Sequence, residues 1–288
     1  MPDYKIITDS ACDLPKAMLQ ELDVAITPLY VMFRGENLAD TVDEPQISTV
    51  YSGLRAGEPA TTSAANPENW ASTMEPILEE GLDVLVLAFS GGLSTTYQSA
   101  VIAAQDLLEK YPQRRICVVD TRCAALGQGM LVWYTCKKRD EGLSLDELTA
   151  WVEEHKFNVR HEVTVDDLMY LKRGGRINAA TAVVGTMLQI KPIITVNDEG
   201  KLITIGKARG RKAAMETLVK KLNDLGSEWD NSTVFLTHGD CLEDALQMKK
   251  MLLEKTQAKE VMIGNLGVVI GSHAGPGTLA LFFMGTKR

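Results

Sequence analysis

The sequence predicts an α/β protein with two domains. Its 288 residues, 45% of them hydrophobic, can bury a large core and exceed the usual size of a single domain. In the first half, apolar runs of strand length alternate with helical segments, which is typical of a doubly wound parallel sheet. In the second half, strands are more closely spaced, which favours a mixed α+β domain. We place the boundary near residue 157, which gives domains 1–157 and 158–288.

The first domain contains alternating strands and helices. The run DVLVLAF (83–89) is continuously apolar, as expected of a strand that is buried on both faces of a parallel sheet. Asp13 and Ser94 stand where helix N-caps are expected, because their side chains can accept hydrogen bonds from free backbone N–H groups. In order, the predicted elements are strand 5–10, helix 13–22, strand 24–33, helix 67–81, strand 83–89, helix 94–110, strand 115–120 and helices 127–140 and 144–156.

The second domain is richer in strands. Its predicted strands are 159–165, 191–197, 201–208, 232–238, 260–273 and 278–284, and its helices lie near 166–172, 178–188, 210–226 and 242–255. The long strand 260–273 is expected to end in a rigid, glycine-rich turn, GSHAGPG (271–277), that carries His273.

Composition excludes several classes of protein. The formal net charge of −8 disfavours nucleic acid as a partner, which requires a positive field. No run approaches the roughly 20 apolar residues of a membrane span, and the N-terminus lacks the apolar core of a signal peptide, so we expect a cytoplasmic protein. Five cysteines without a CxxC pair predict free thiols, neither a disulfide framework nor a metal site.

Three loops are rich in hydrogen-bond donors: TTS (61–63), LSTTY (93–97) and GSHAGPG (271–277). In open parallel sheets, ligands bind beyond the carboxyl ends of the strands. Ser94 and Thr95 also precede a helix, whose N-terminus favours an anion. Taken alone, Ser94 could be only an N-cap, but three such loops together favour a small anionic ligand.

Two motifs allow alternatives. AFSGG (88–92) resembles a nucleophile elbow, although Ala88 replaces the first glycine; a hydrolase would pair Ser90 or Ser94 with His273. The basic turn KRGGRI (172–177) is either a capped helix end or a phosphate contact through Arg176. A P-loop is absent, and GQGMLV (127–132) lacks the third glycine of a dinucleotide-binding motif.

Seven segments in a fixed order resemble the DegV family over the whole length of the chain. They are IITDSACDLP, TTSAANP, FSGGLSTTYQSA, VVDTRCAALGQG, DDLMYLKRGGRI, LQIKPIITVNDEGKL and GVVIGSHAGPGTLALFF. The resemblance implies a non-enzymatic carrier that binds a long-chain fatty acid and serves as the lipid-carrying subunit of a bacterial fatty acid kinase. It also implies two α/β domains with the lipid pocket between them, no cofactor beyond the fatty acid, and the possibility of transient membrane contact.

The resemblance assigns roles to individual residues. It implies that the fatty-acid carboxylate is held by Thr62, Ser63, Ser94, Thr95 and His273. It further implies that Arg176 and His273 serve when the kinase partner phosphorylates that carboxylate. Two departures from the family pattern are expected at the head-group site: Ala65 and Asn66 stand where the family usually has Pro and Ser, and Thr95 replaces a Gly. A serine esterase and a binding module for another small carboxylate are the alternatives.

Overall fold

A computed structural model describes residues 3–41, 44–177 and 189–288 of the chain. The strands are β1 (Tyr4–Asp9), β2 (Val24–Thr27), β3 (Tyr30–Phe33), β4 (Glu36–Ala39), β5 (Ala60–Ser63), β6 (Asp83–Ala88), β7 (Ile116–Asp120), β8 (Val159–Thr164), β9 (Ile190–Val196), β10 (Leu202–Arg209), β11 (Thr233–His238), β12 (Glu260–Asn265) and β13 (Leu279–Met284). The α-helices are α1 (Lys16–Glu21), α2 (Glu44–Arg55), α3 (Pro67–Glu79), α4 (Thr96–Lys110), α5 (Ala125–Asp140), α6 (Leu145–His155), α7 (Leu168–Arg173), α8 (Arg211–Leu225), α9 (Leu242–Lys255) and α10 (Val268–Ala274).

The first half forms a four-stranded parallel sheet in the order β2-β1-β6-β7. Its central strands are buried on both faces. Successive side chains of a strand point to opposite faces of the sheet, so each strand packs in two clusters. Ile6 packs in the cluster that includes α1, α5 and α6, whereas Ile7 packs against α3 and α4. Helices therefore cover both faces, and the predicted doubly wound parallel sheet is confirmed.

The second half forms a six-stranded mixed sheet in the order β10-β9-β8-β13-β11-β12. Only β11 and β12 are parallel neighbours. Helices α8 and α9 cover one face, and α5 from the first half contacts β8, β11 and β13. A parallel sheet followed by a mixed sheet confirms the predicted fold class. The domain boundary near residue 157 stays a prediction.

The predicted strand 24–33 is wrong, because the chain there forms two strands in different sheets. β2 pairs with β1, but β3 pairs with β4 and β5 in a separate antiparallel sheet. Pro28 lies between them, and proline cannot donate a ladder hydrogen bond. The TTS loop (61–63) is accordingly an extended strand, β5, rather than a turn. This third sheet and α2 were not predicted from the sequence.

The predicted strand 260–273 is also wrong, because it divides into β12 and helix α10. His273 therefore lies in the last turn of a helix and not in a tight turn. A short apolar run does not distinguish a buried helix from a buried strand. Packing decides here: a Cβ on Gly271 would lie 2.3 Å from the Tyr51 hydroxyl oxygen, so the helix needs glycine where it meets α2.

Two predicted helix caps are displaced. Asp13 ends a short 3-10 helix, Ser10–Cys12, with a φ of 55°, and α1 begins only after Pro15. The N-cap position of α4 is Thr95 rather than Ser94. The predicted helix 178–188 lies outside the described residues.

Candidate functional site

A cavity of about 500 Å³ lies between the mixed sheet and the segments that follow the strands of the parallel sheet. This volume is within the usual range for a small-molecule pocket. Most of its wall is apolar, with contributions from the mixed sheet, from the segments after β2, β6 and β7, and from α10. The apolar lining includes Phe89, Val163, Val165, Ile194, Val269 and Phe282.

The polar part of the lining comes from four separate segments of the chain. β5 contributes Thr62 and Ser63, and the segment before α4 contributes Ser94 and Thr95. The turn after α7 contributes Arg176, and α10 contributes His273. The six residues to which the family resemblance assigns a role thus all border one cavity. Because these residues are far apart in the sequence, no local pattern predicts that they lie together, whereas the family resemblance does.

His273 is held in place by two contacts. Its Nε2 atom lies 2.6 Å from the hydroxyl oxygen of Thr62, a distance that indicates a hydrogen bond between α10 and β5. Its Nδ1 atom lies against Gly174, where a Cβ would approach within 2.2 Å. The glycine after α7 therefore leaves room for the imidazole, which explains one of the two glycines in KRGGRI.

The only permanent charge among these six residues is the guanidinium of Arg176. Burial, and next the positive charge of Arg176, lower the pKa of His273 to about 4. The imidazole is therefore neutral at pH 7. Arg176 donates from Nε to the Leu93 carbonyl oxygen at 3.2 Å and from Nη1 to that of Gly174. These bonds fix the cation beside the loop that precedes α4.

Hydroxyl groups at the start of α4 bond to one another. The Ser94 hydroxyl oxygen lies 2.8 Å from that of Thr96 and accepts the Thr96 backbone N–H at 3.2 Å. Thr95 is exposed, and its side chain makes no capping bond. Ser94 therefore satisfies a backbone donor from inside the cavity lining, although it is not at the N-cap position.

Ala65 and Asn66 do not border the cavity, although the sequence predicts both departures at the head-group site. Ala65 is buried in the core beneath α3. The Asn66 side chain accepts the Asn69 backbone N–H at 2.8 Å, and Asn69 returns the bond in a capping box. Neither residue borders the cavity, where Ala64 takes the adjacent place. Their roles are in packing and in starting a helix.

The geometry does not support the hydrolase alternative. The Ser90 hydroxyl is fully buried and donates to the Gly200 carbonyl oxygen at 2.8 Å. The AFSGG motif therefore docks the turn between β9 and β10. Within the described part of the chain, no serine bonds to His273.

A second depression, the outer cleft, has a volume of about 400 Å³ and shares three polar residues with the cavity. Thr62, Arg176 and His273 line both the cavity and the outer cleft. The remaining wall of the outer cleft includes Tyr170 and Arg173 of α7. The cavity and the outer cleft therefore adjoin each other at these three shared residues.

Sequence reasoning missed His161, a buried histidine in the cavity wall. Its Nε2 accepts the Ala124 backbone N–H at 3.2 Å, so the Nδ1 N–H donates to the Val159 carbonyl oxygen at 3.1 Å. Burial keeps its pKa well below the usual value, and the ring meets Phe282 edge-on at 5.2 Å. With both nitrogens satisfied, the neutral ring acts as part of the apolar wall. Its position in a strand-like run gave no signal of this.

In residues 3–41, 44–177 and 189–288, no cluster of three or more His, Cys, Asp or Glu side chains could hold a metal ion. Across those same ranges, no helix has both the length and the apolar character needed to cross a membrane.

The chain matches the model of the DegV family, described as uncharacterised proteins, over residues 3–286. It is 43% identical to a DegV domain-containing protein of Clostridium perfringens, covering 100% of this chain and 99% of that protein. A DegV family protein from Thermus thermophilus, whose solved structure concerns fatty acid binding, is 33% identical in sequence. Its TM-score is 0.86 over 98% of this chain and 99% of that one. A fatty acid (stearic acid)-binding protein from Eubacterium ventriosum is 27% identical, with a TM-score of 0.86 over 98% of both chains.

Proposed function

Because this chain belongs to the DegV family, we propose that it binds a long-chain fatty acid in the cavity of about 500 Å³. One observation carries the proposal: a mostly apolar cavity has hydroxyls, one neutral imidazole and one guanidinium gathered in its lining. An amphiphile with a long apolar tail and an acidic head matches that distribution. Fatty acids are what the similar proteins from Thermus thermophilus and Eubacterium ventriosum bind.

The tail supplies most of the affinity. Burial of each methylene is worth about 0.8 kcal/mol, so a chain of roughly 15 methylenes offers on the order of 12 kcal/mol before the costs of binding. Walls such as Phe89 and Ile194 provide the apolar surface for it. Because both nitrogens of His161 already have partners, the tail meets no unsatisfied polar group there.

The head group needs donors, because a buried carboxylate without partners costs several kcal/mol. Ser94 offers a hydroxyl, and the exposed Ser63 and Thr95 offer weaker ones. Thr62 and His273 bond to each other, so this pair offers the carboxylate one donor, either the Thr62 hydroxyl or the Nδ1 N–H of His273. Arg176 supplies a positive charge close enough to depress the pKa of His273. A carboxylate placed beside His273 acts in the opposite direction and raises that pKa.

We further propose that the protein presents the bound carboxylate to a fatty acid kinase. Three head-group residues, Thr62, Arg176 and His273, also line the outer cleft. A partner that occupies this cleft reaches the carboxylate without entering the apolar cavity. In this scheme Arg176 contacts the transferred phosphoryl group, the chain itself is a carrier rather than an enzyme, and it works in the cytoplasm with transient contact with the membrane.

Lipid extraction tests the binding proposal. The purified protein is extracted with organic solvent, and the extract is examined by mass spectrometry, before and after incubation with long-chain fatty acids. We expect a fatty acid in at least the incubated sample. Absence of any fatty acid in both samples contradicts the proposal.

Substitutions then separate binding from presentation. His273→Ala should weaken the binding of a fatty acid more than that of the matching fatty alcohol, whereas His155→Ala on α6 is the matched control. Arg176→Gln should slow acyl phosphate formation by a purified fatty acid kinase more than it lowers fatty-acid affinity. Equal phosphorylation of wild-type protein and Arg176→Gln at saturating fatty acid contradicts the role of Arg176.

A further inference from the structure

Helix α9 exposes an apolar stripe on the outer face of the mixed sheet. Leu242, Leu246 and Leu253 are 51%, 53% and 40% exposed. The opposite side of the helix is buried through Ala245 and Met248. The three leucines thus form a surface separate from the core contacts of α9. This surface, with the charged residues beside it, is called the α9 face below.

The spacing of these leucines is that of a helix-pairing seam. Leu242, Leu246 and Leu253 follow intervals of four and seven residues, and Lys249 occupies the position between the last two. Intervals of four, three and four keep side chains on one line along a helix. The stripe therefore fits against another helix along its length.

Charge along one flank of the stripe is self-complementary. Glu243 near the start and Lys250 near the end are both exposed and lie on the same side of the leucines, by helical periodicity. If two copies of α9 run antiparallel about a two-fold axis, Glu243 of each copy faces Lys250 of the other. The same operation brings Leu242 opposite Leu253.

We propose that the α9 face pairs with the α9 face of a second copy of this chain as an antiparallel helix pair. A two-fold interface of this kind uses the same surface twice. Lys249 lies close to the seam in both copies, so like charges oppose the pairing. The surface area that two 14-residue helices can bury against each other is also small compared with the roughly 1,200 Å² buried in stable interfaces. The dimer is therefore weak and forms reversibly with protein concentration.

Sedimentation equilibrium across a wide range of protein concentration measures this association in the full chain. Wild-type protein should move from monomer to dimer as concentration rises, and Leu246→Glu should weaken the association by about tenfold or more. Lys249→Leu completes the seam and should strengthen it by about tenfold. The matched control is Lys220→Leu on α8, which should leave the association unchanged.

Charge exchange tests the antiparallel geometry. Glu243→Lys alone and Lys250→Glu alone should each weaken the dimer, and the double variant Glu243→Lys/Lys250→Glu should restore it. These residues are exposed, so circular dichroism should show an unchanged fold in every variant. A protein that stays monomeric at all concentrations, including as Lys249→Leu, overturns the proposal. A dimer that Leu246→Glu and the charge variants leave unaffected overturns it equally.

Discussion

Each end of α10 buries a titratable group, and burial shifts the two pKa values in opposite directions. At its C-terminal end, His273 borders a cavity and the outer cleft, and burial lowers the pKa of its imidazole to about 4. At its N-terminal end, Gly267 lies against Asp13, which is 1% exposed and whose carboxyl pKa burial raises well above the usual value. Both ends favour neutral groups. The C-terminal end differs in that it borders the cavity and the outer cleft.

The comparison separates a structural role from a binding role on one short helix. Asp40 lies beside Asp13, and Tyr51 donates to the Leu266 carbonyl oxygen at 3.0 Å just before the helix. These contacts hold the N-terminal end in the core. Changes there should therefore alter stability, whereas changes at the His273 end should alter ligand affinity.

Gly267→Ala should have the largest effect. A Cβ at this position would lie 2.5 Å from the Asp13 carboxylate oxygen, and both groups are in the core, so the free energy of unfolding should fall by about 2–3 kcal/mol. Denaturant titration measures the change. Gly206→Ala is the control, because a Cβ at that position would lie 3.9 Å from its nearest neighbouring atom. Equal losses in the two variants would show that the N-terminal end of α10 is not tightly packed.

Asp13→Asn should have the next largest effect, and its sign depends on pH. Burial, and then the charge of Asp40, raise the Asp13 pKa, so ionising the folded protein costs more than ionising the unfolded chain. This contribution is absent below the unfolded pKa of about 4, and it lowers stability progressively as pH rises toward the folded pKa.

Replacement by the neutral amide should therefore raise the free energy of unfolding near neutral pH by about 1 kcal/mol or more, with little change near pH 4. Thermal or denaturant unfolding as a function of pH measures this. Asp9 and Asp40 face the same group, so part of the pH dependence should persist. A loss of stability at neutral pH in Asp13→Asn would mean that the carboxylate is favourably paired there.

The sequence located the residues of the cavity end better than it described their backbone. The GSHAGPG motif drew attention to His273, but Val268–Ala274 is a helix because Gly271 packs against Tyr51, a contact across more than 200 residues. The polar stretch that contains Thr62 forms a strand because β3 is available to pair with it. Long-range packing of this kind has no local signature.

The parallel sheet was predictable for the opposite reason. Its strands, such as Asp83–Ala88, are continuous apolar runs whose pattern does not depend on distant partners. Conversely, Ala65 and Asn66 appeared to be head-group residues only because of their place in a motif. The structure shows that Asn66 starts α3 instead.

Thr62→Val should lower fatty-acid affinity, and loss of the internal bond to His273 should also lower the free energy of unfolding by about 1 kcal/mol or less. It removes the hydroxyl that lies 2.6 Å from His273, and a hydrogen bond of this kind contributes about 1 kcal/mol. Fatty-acid affinity, measured by isothermal titration, should fall roughly fivefold. Thr61→Val is the matched control, because Thr61 is the neighbouring residue of β5 and borders the outer cleft but not the cavity. Equal effects from both variants would remove Thr62 from the head-group site.

Thr95→Gly should have the smallest effect. Thr95 is exposed and its side chain makes no capping bond, and glycine is nearly as good as threonine at an N-cap position. Fatty-acid affinity should change by less than about twofold. A large loss in the same titration would show that this hydroxyl contacts the carboxylate directly.

The titration of His273 by NMR, with and without a bound fatty acid, tests the central claim most directly. The chain has four histidines, and the His273→Ala variant identifies the signal. In the free protein the imidazole should titrate near its depressed pKa of about 4. A carboxylate beside it should raise that pKa clearly, whereas the matching fatty alcohol should not. The same His273 pKa in the free and the fatty-acid-bound protein would contradict the placement of the head group.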